Sequence, residues 1–154
     1  IQEPTDYTIR VERTTPSGFA VADEMCHQGL GFNQMFECFH YQGFSRDAAR
    51  KKWFLPRRPF PGEQTGDSAQ LVGYEDTPFF AMRELRTDGE LKVKNERFSG
   101  LYVLEGAGTL ECKGGILQLN APGQYFVPAG TSDFVLRAAP AGQLRVLQCF
   151  GPRD

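Results

Sequence analysis

Between Gln70 and Phe150 no stretch of this chain runs far before a turn signal interrupts it. LVGYE, FFAMREL, ELKVKNERF, GLYVLEG, GTLECKG, GILQLN, GQYFVPAG, DFVLRAA and QLRVLQCF follow one another, punctuated by Gly, Asp-Gly, Gly-Gly and Pro-Gly. Short strand-like segments at regular spacing with turn residues between them predict an antiparallel barrel or sandwich. A 40% hydrophobic content with 13 Phe supplies the apolar faces such a barrel has to bury.

The remaining bounds exclude several function classes. A chain of 154 residues is one domain, or one domain with a substantial extension. A formal net charge of −2 gives no electrostatic basis for binding nucleic acid or an anionic membrane. No apolar run is long enough to span a bilayer, and no signal peptide is expected. Cys26, Cys38, Cys112 and Cys149 are widely spaced without a CxxC pair. They read as reduced thiols of a cytoplasmic protein.

Ahead of the strand-rich region the pattern changes. From Asp6 the sequence alternates, with Tyr7, Ile9 and Val11 on one face and Thr8, Arg10 and Glu12 on the other, which predicts a strand. Phe32, Met35, Phe36 and Phe39 fall at i, i+3, i+4 and i+7, one stripe of a short helix. A second helix is expected from Arg46 to about Phe54. Ser45 is its N-cap, Asp47 lies in its first turn, and Arg50, Lys51 and Lys52 lie near its C-terminal end. Pro56 stops it, and Arg57 to Asp67 is a Pro/Gly-rich connector. These signals divide the chain into residues 1–67, a strand and helical segment with a linker, and residues 68–154, a barrel. The chain opens at Ile1 inside a strand-like pattern, so a piece of a longer protein is expected.

Three clusters invite a chemical reading. Arg50, Lys51, Lys52, Arg57 and Arg58 flank Trp53 and Phe54, the composition of a nucleic-acid patch with stacking aromatics. Burial of Trp53 and Phe54 on the helix, with the cations capping its end, explains the cluster better. His27 beside Cys26 and His40 near Cys38 match no standard zinc spacing, so local capping or surface roles are expected. Arg10 lies on the polar face of the first predicted strand, where an exposed arginine pairs readily with Glu12 or Glu3.

Tyr102-Val103-Leu104-Glu105-Gly106-Ala107-Gly108 resembles the end of the first cupin motif, and Gly123 through Pro128-Ala129-Gly130 resembles the second. The glycines fit: Gly106 and Gly108 permit a tight hairpin at positive φ, and Pro122-Gly123 and Pro128-Ala129-Gly130 make turns. The resemblance implies a mainly β fold, a cupin jelly-roll barrel preceded by a strand and a short helical segment. In metal cupins the first motif carries two His and a Glu. Here the Glu slot falls at Ser99 and the His slots near Val93 and Asn95, or at Lys92 and Lys94. The His slot of the second motif falls at Asp133. These residues do not make a transition-metal site, and no metal is expected in this barrel.

Ile1-Gln2-Glu3-Pro4-Thr5-Asp6 with Ile9-Arg10-Val11 resembles the strand that follows the last zinc ligand in class I mannose-6-phosphate isomerases. Phe36-Glu37-Cys38-Phe39 followed by Ser45-Arg46-Asp47 resembles that family's insert. The VLEGAG hairpin, the PAGT turn and the LRVLQC strand resemble its carboxy-terminal cupin. The resemblance implies the carboxy-terminal part of a zinc-dependent isomerase interconverting mannose 6-phosphate and fructose 6-phosphate through an enediol. It places the zinc ligands upstream of Ile1, on an N-terminal catalytic cupin half that is this chain's partner, and it makes Arg10 the catalytic residue contributed here. A guanidinium there either stabilises charge on the enediolate oxygens or grips the phosphate. This chain by itself is expected to be inactive. The alternative is a stand-alone metal-free cupin that binds a sugar or serves as a structural module.

Overall fold

The computed structural model describes residues 8–59, 68–131 and 133–153. The predicted segment Ile1 to Tyr7 lies outside them. The chain forms two compact units, divided between Lys52 and Trp53.

The first unit carries short helices. Thr8 to Arg13 does not form the predicted strand; the chain there makes only an isolated bridge, Thr14 to Ala20. Val11 is 57% exposed, so the alternation has no apolar surface to face and no neighbouring strand to pair with. Helix α1 (Asp23–His27), which the sequence pattern does not announce, follows. Helix α2 (Phe32–Glu37) carries the predicted apolar stripe, but only Met35 is buried. Phe32, Phe36 and Phe39 instead stack along the surface, with ring centroids 6.2 and 6.3 Å apart. Helix α3 (Arg46–Trp53) begins as expected: Ser45 Oγ accepts a hydrogen bond from the Ala48 amide at 3.2 Å. It buries no residue, and Trp53 and Phe54 are 58% and 61% exposed. Burial therefore does not explain the Trp-Phe pair; a helix with five charged residues among its eight has no wide apolar face to seat them.

The second unit is the barrel. Strands β1 (Arg58–Pro59), β2 (Ala69–Val72), β3 (Ala81–Thr87), β4 (Glu90–Lys94) and β5 (Ser99–Glu105) come first. Strands β6 (Ala107–Cys112), β7 (Gly115–Asn120), β8 (Gly123–Val127), β9 (Asp133–Ala138) and β10 (Leu144–Phe150) complete it. Every strand-like segment between Gln70 and Phe150 becomes a strand, and Arg58–Pro59, read as connector, adds a short edge strand beside β2. The strands form two antiparallel sheets, ordered β1-β2-β3-β10-β5-β8 and β4-β9-β6-β7.

Period-two burial explains why these segments pair in this register. Leu91 and Val93 of β4, Leu101 and Val103 of β5, Phe134 and Leu136 of β9, and Leu144 and Val146 of β10 all point into one core. Fully burying each such side chain contributes roughly 1.5–3 kcal/mol. The VLEGAG glycines serve two different needs. Gly106 has φ +82°, and a Cβ there would stand 1.8 Å from Gln143 O. Gly108 does not have the expected positive φ; its requirement is space, because a Cβ would stand 2.0 Å from Arg137 O.

Strand β3 breaks the alternation, with Arg83, Glu84 and Leu85 all buried. Glu84 is covered on the opposite face from Leu85 by three guanidinium groups. Arg57, Arg86 and Arg145 stand 2.7, 3.0 and 2.5 Å from its carboxylate. Arg58 pairs with Glu75 and Asp76. Arg57 and Arg58, drawn from the basic cluster, thus neutralise carboxylates of their own barrel.

Candidate functional site

Two places in the molecule answer the sequence-based expectations. The first is the set of positions where a cupin holds its metal. Ser99 opens β5 and Asn95 follows β4, and the fold brings them together: Ser99 Oγ donates to Asn95 Oδ1 at 3.2 Å. Val93 belongs to the apolar core. Lys92, Lys94 and Asp133 are exposed, with Lys94 and Asp133 facing each other in the β4–β9 register.

Two residues that the sequence reading did not single out complete the cluster. Gln148 on β10 lies directly opposite Arg83 on β3. Arg83 Nε donates to Gln148 Oε1 at 2.7 Å, and the Gln148 amide donates to Ser99 Oγ at 2.7 Å and to Asn95 Oδ1 at 3.1 Å. Asn95 Nδ2 donates in turn to the carbonyls of Thr131 at 2.8 Å and Pro128 at 3.3 Å. Arg83 Nη2 donates to Lys94 O at 3.0 Å, and its guanidinium carbon lies 5.3 Å from the centre of the Phe150 ring. None of Arg83, Asn95, Ser99 and Gln148 is more than 4% exposed. The available signal was a polar residue at an inward phase: Gln148 continues the buried series Leu144 and Val146, and Arg83 precedes Leu85 by two.

A divalent metal does not fit this cluster. It presents amides, a hydroxyl and a guanidinium in place of imidazole, thiolate or carboxylate. The oxygens of Gln148, Asn95 and Ser99 are already taken by hydrogen bonds, and Arg83 adds a fixed positive charge. The arrangement ties the two cupin-like motifs to each other, since Asn95 of the first holds the Pro128–Thr131 turn of the second.

The second place is around Arg10. A hollow of about 470 Å³ is lined by Thr8, Arg10, Glu12, Thr14, Thr15 and Val21, among others. The Arg10 amide donates to Cys26 O at 3.0 Å, and the Val21 amide to Arg13 O at 3.0 Å. The buried Cys26 thiol donates to Glu12 O across 3.7 Å. These bonds hold the backbone at Arg10 and just after it, and the exposed Arg10 side chain lines an open hollow with three threonines. His27 accepts a hydrogen bond from the Gly29 amide at Nδ1 (3.2 Å) and packs edge-on against Phe32, and His40 stacks on Phe44. Among the described residues no group of His, Cys, Asp and Glu converges as a metal site, and the four cysteines are unpaired. No helix among the described residues is long and apolar enough to cross a membrane.

Comparison with solved structures places this geometry. The mannose 6-phosphate isomerase of Bacillus subtilis superposes with a TM-score of 0.59 at 16% identity, over 90% of this chain and 38% of that one. An ethanolamine utilization protein Q of Salmonella typhimurium matches with a TM-score of 0.50 at 20% identity, over 62% of this chain and 77% of that one. A cupin domain of Bordetella pertussis matches at 0.46 and 12%, over 56% of this chain and 92% of that one. The barrel has the cupin fold. This chain spans little more than a third of the Bacillus isomerase it resembles. No protein-family model matches it, and no curated protein matches its sequence.

Proposed function

We propose that this chain is the carboxy-terminal part of a sugar-phosphate isomerase that interconverts mannose 6-phosphate and fructose 6-phosphate. The observation that carries the reading is the extent of the likeness to the Bacillus isomerase. At 90% of this chain it takes in more than the barrel, residues 53–154, whereas the match to the Salmonella protein stops at 62%. A cupin barrel alone would not account for the additional helical part.

In this reading Arg10 is the catalytic residue of the chain. Its guanidinium sits in a hollow with Thr8, Thr14 and Thr15, whose hydroxyls suit the oxygens of a phosphorylated polyol. Proton transfer between C1 and C2 puts negative charge on the enediolate oxygens, and a guanidinium stabilises that charge. Zinc supplies Lewis-acid chemistry in such an isomerase. We place its ligands, with the remaining catalytic groups, on a companion cupin half, because this barrel offers a metal no ligand set. The barrel then acts as a framework, its former metal position converted into an internal tie between the two motifs.

The test is the native full-length protein assayed for mannose 6-phosphate isomerisation and for zinc, as wild type and as Arg10→Ala. Isomerisation by a zinc-bearing protein, lost in the variant, supports the reading. A zinc-free native product without isomerase activity overturns it and leaves a sugar-binding or structural cupin.

A further inference from the structure

The barrel unit holds a second cleft, of about 380 Å³, that the isomerase reading does not use. Three separate stretches bring cations to it. Arg83 comes from β3, Lys94 and Arg97 from the end of β4 and the turn after it, and Arg153 from the residues beyond β10. Glu75 and Glu96 are the only acids on its lining, and Glu75 is already engaged by Gln70 at 2.8 Å and Arg58 at 3.2 Å.

Of the arginines of this unit, Arg83 is held inside the barrel by Gln148 and the Lys94 carbonyl. Arg57, Arg58, Arg86, Arg137 and Arg145 each form an ion pair within the barrel. Arg97, Arg153 and Lys94 form none among the described residues. Two of them are positioned without a counter-charge. Arg97 Nη1 donates to Tyr74 Oη at 3.0 Å and to Pro152 O at 3.2 Å, while Tyr74 Oη donates to Gly151 O at 2.7 Å. The guanidinium carbons of Arg97 and Arg153 lie 5.3 and 5.8 Å from the centre of the same Tyr74 ring. A single phenol thus organises two like charges at the mouth of one cleft, in a chain whose net charge is −2. Like charges held close are unfavourable until an anion sits between them.

We infer that this cleft binds a small phosphate monoester, with the phosphate between Arg97, Arg153 and Lys94 and the hydroxylated part of the ligand against Tyr74 and Phe150. Guanidinium groups present paired N–H donors that match phosphate oxygens. The volume falls within the range of pockets for small metabolites, and the free Glu96 carboxylate offers an acceptor for a ligand hydroxyl. The inference is independent of the isomerase reading, because Arg10 belongs to the other unit of the chain.

Equilibrium binding of glucose 6-phosphate to the full chain tests it, with glucose and inorganic phosphate as comparison probes. The variants are Lys94→Ala/Arg153→Ala, which removes two exposed side chains that form no ion pair among the described residues, and Arg10→Ala. The expected result is glucose 6-phosphate binding that inorganic phosphate competes away and that glucose does not reproduce. Binding weakens by about tenfold or more in the double variant and persists in Arg10→Ala at the cleft, with the thermal transition of the double variant kept. Absence of binding, binding insensitive to the double variant, or binding lost only in Arg10→Ala overturns the assignment.

Discussion

Gln148 donates its side-chain amide to the Ser99 hydroxyl across 2.7 Å, and both side chains are fully buried. The direction of this bond is fixed from outside the pair. Arg83 can only donate, so Gln148 must turn its oxygen toward Arg83 and its nitrogen toward Ser99 and Asn95. One cation thereby sets the polarity of the whole network. A buried network of this kind costs little only while every member is satisfied.

Gln148→Ala removes an acceptor from a buried guanidinium and a donor from two buried oxygens. A loss of about 2–4 kcal/mol in folding free energy is expected, read from the urea midpoint at unchanged slope. Ser99→Ala removes one hydroxyl from the edge of the network and should cost about 1 kcal/mol. Equal, small losses for both would mean that water substitutes freely in the network and that Gln148 does not organise it.

Gly106→Ala and Gly108→Ala should both destabilise by about 2 kcal/mol or more, for different reasons. The first forces a side chain onto φ +82° with Gln143 O in the way, and the second drives a Cβ against Arg137 O at ordinary backbone angles. Gly115→Ala is the comparison. Its φ is +130°, yet nothing lies within 4 Å of the added Cβ, so about 1 kcal/mol is expected. Thermal unfolding of the three variants orders them; a Gly115→Ala as damaging as Gly108→Ala would mean that the close approach at Gly108 relaxes.

The strands were legible because their alternation coincides with a real inside and outside. Leu91 and Val93, or Leu144 and Val146, stand two apart in sequence and meet one core. The same rule misled at Thr8 to Val11, where alternation exists without a partner strand or a face to cover, as Val11 at 57% exposure illustrates. The former metal slots were legible one at a time, as Asn95 and Ser99, but their chemistry was not. Arg83 and Gln148 reach them from strands far apart in sequence, and only the β3–β10 register brings the two opposite each other. The phenol that gathers Arg97 and Arg153 was invisible for the same reason, since Tyr74 lies 23 residues from Arg97 in sequence.

Glu84 makes stability depend on pH. Burial pushes its carboxyl up, but hydrogen bonds from Arg145 and Arg86 and the charge of Arg57 outweigh burial and hold it below the ordinary carboxylate value. A group whose native pKa is depressed stabilises the fold above its unfolded value, about 4.3, and that contribution disappears as pH falls through the lower native value. Wild type should therefore exceed Glu84→Gln by about 1–2 kcal/mol at neutral pH, the partly exposed arginines limiting the gain. Denaturant titrations should show the difference constant from pH 7 to about 5 and shrinking below 4. A difference that grows on acidification would reverse the assigned direction.

Arg10 decides between two ways in which one guanidinium can serve the proposed isomerisation. If it faces the enediolate, its interaction is made only as charge develops, so Arg10→Ala lowers kcat and leaves KM nearly unchanged. If it grips the phosphate, ground state and transition state lose equally, and KM rises at constant kcat. The proposed role is the first, for which kcat falls by about 10²–10³. Arg10→Lys then separates charge from shape. A lysine restores positive charge without the planar fork, so partial recovery of kcat in steady-state assays of the full-length protein supports charge stabilisation. A KM-only defect in Arg10→Ala would move Arg10 to the phosphate, and full activity in Arg10→Ala would remove it from the site.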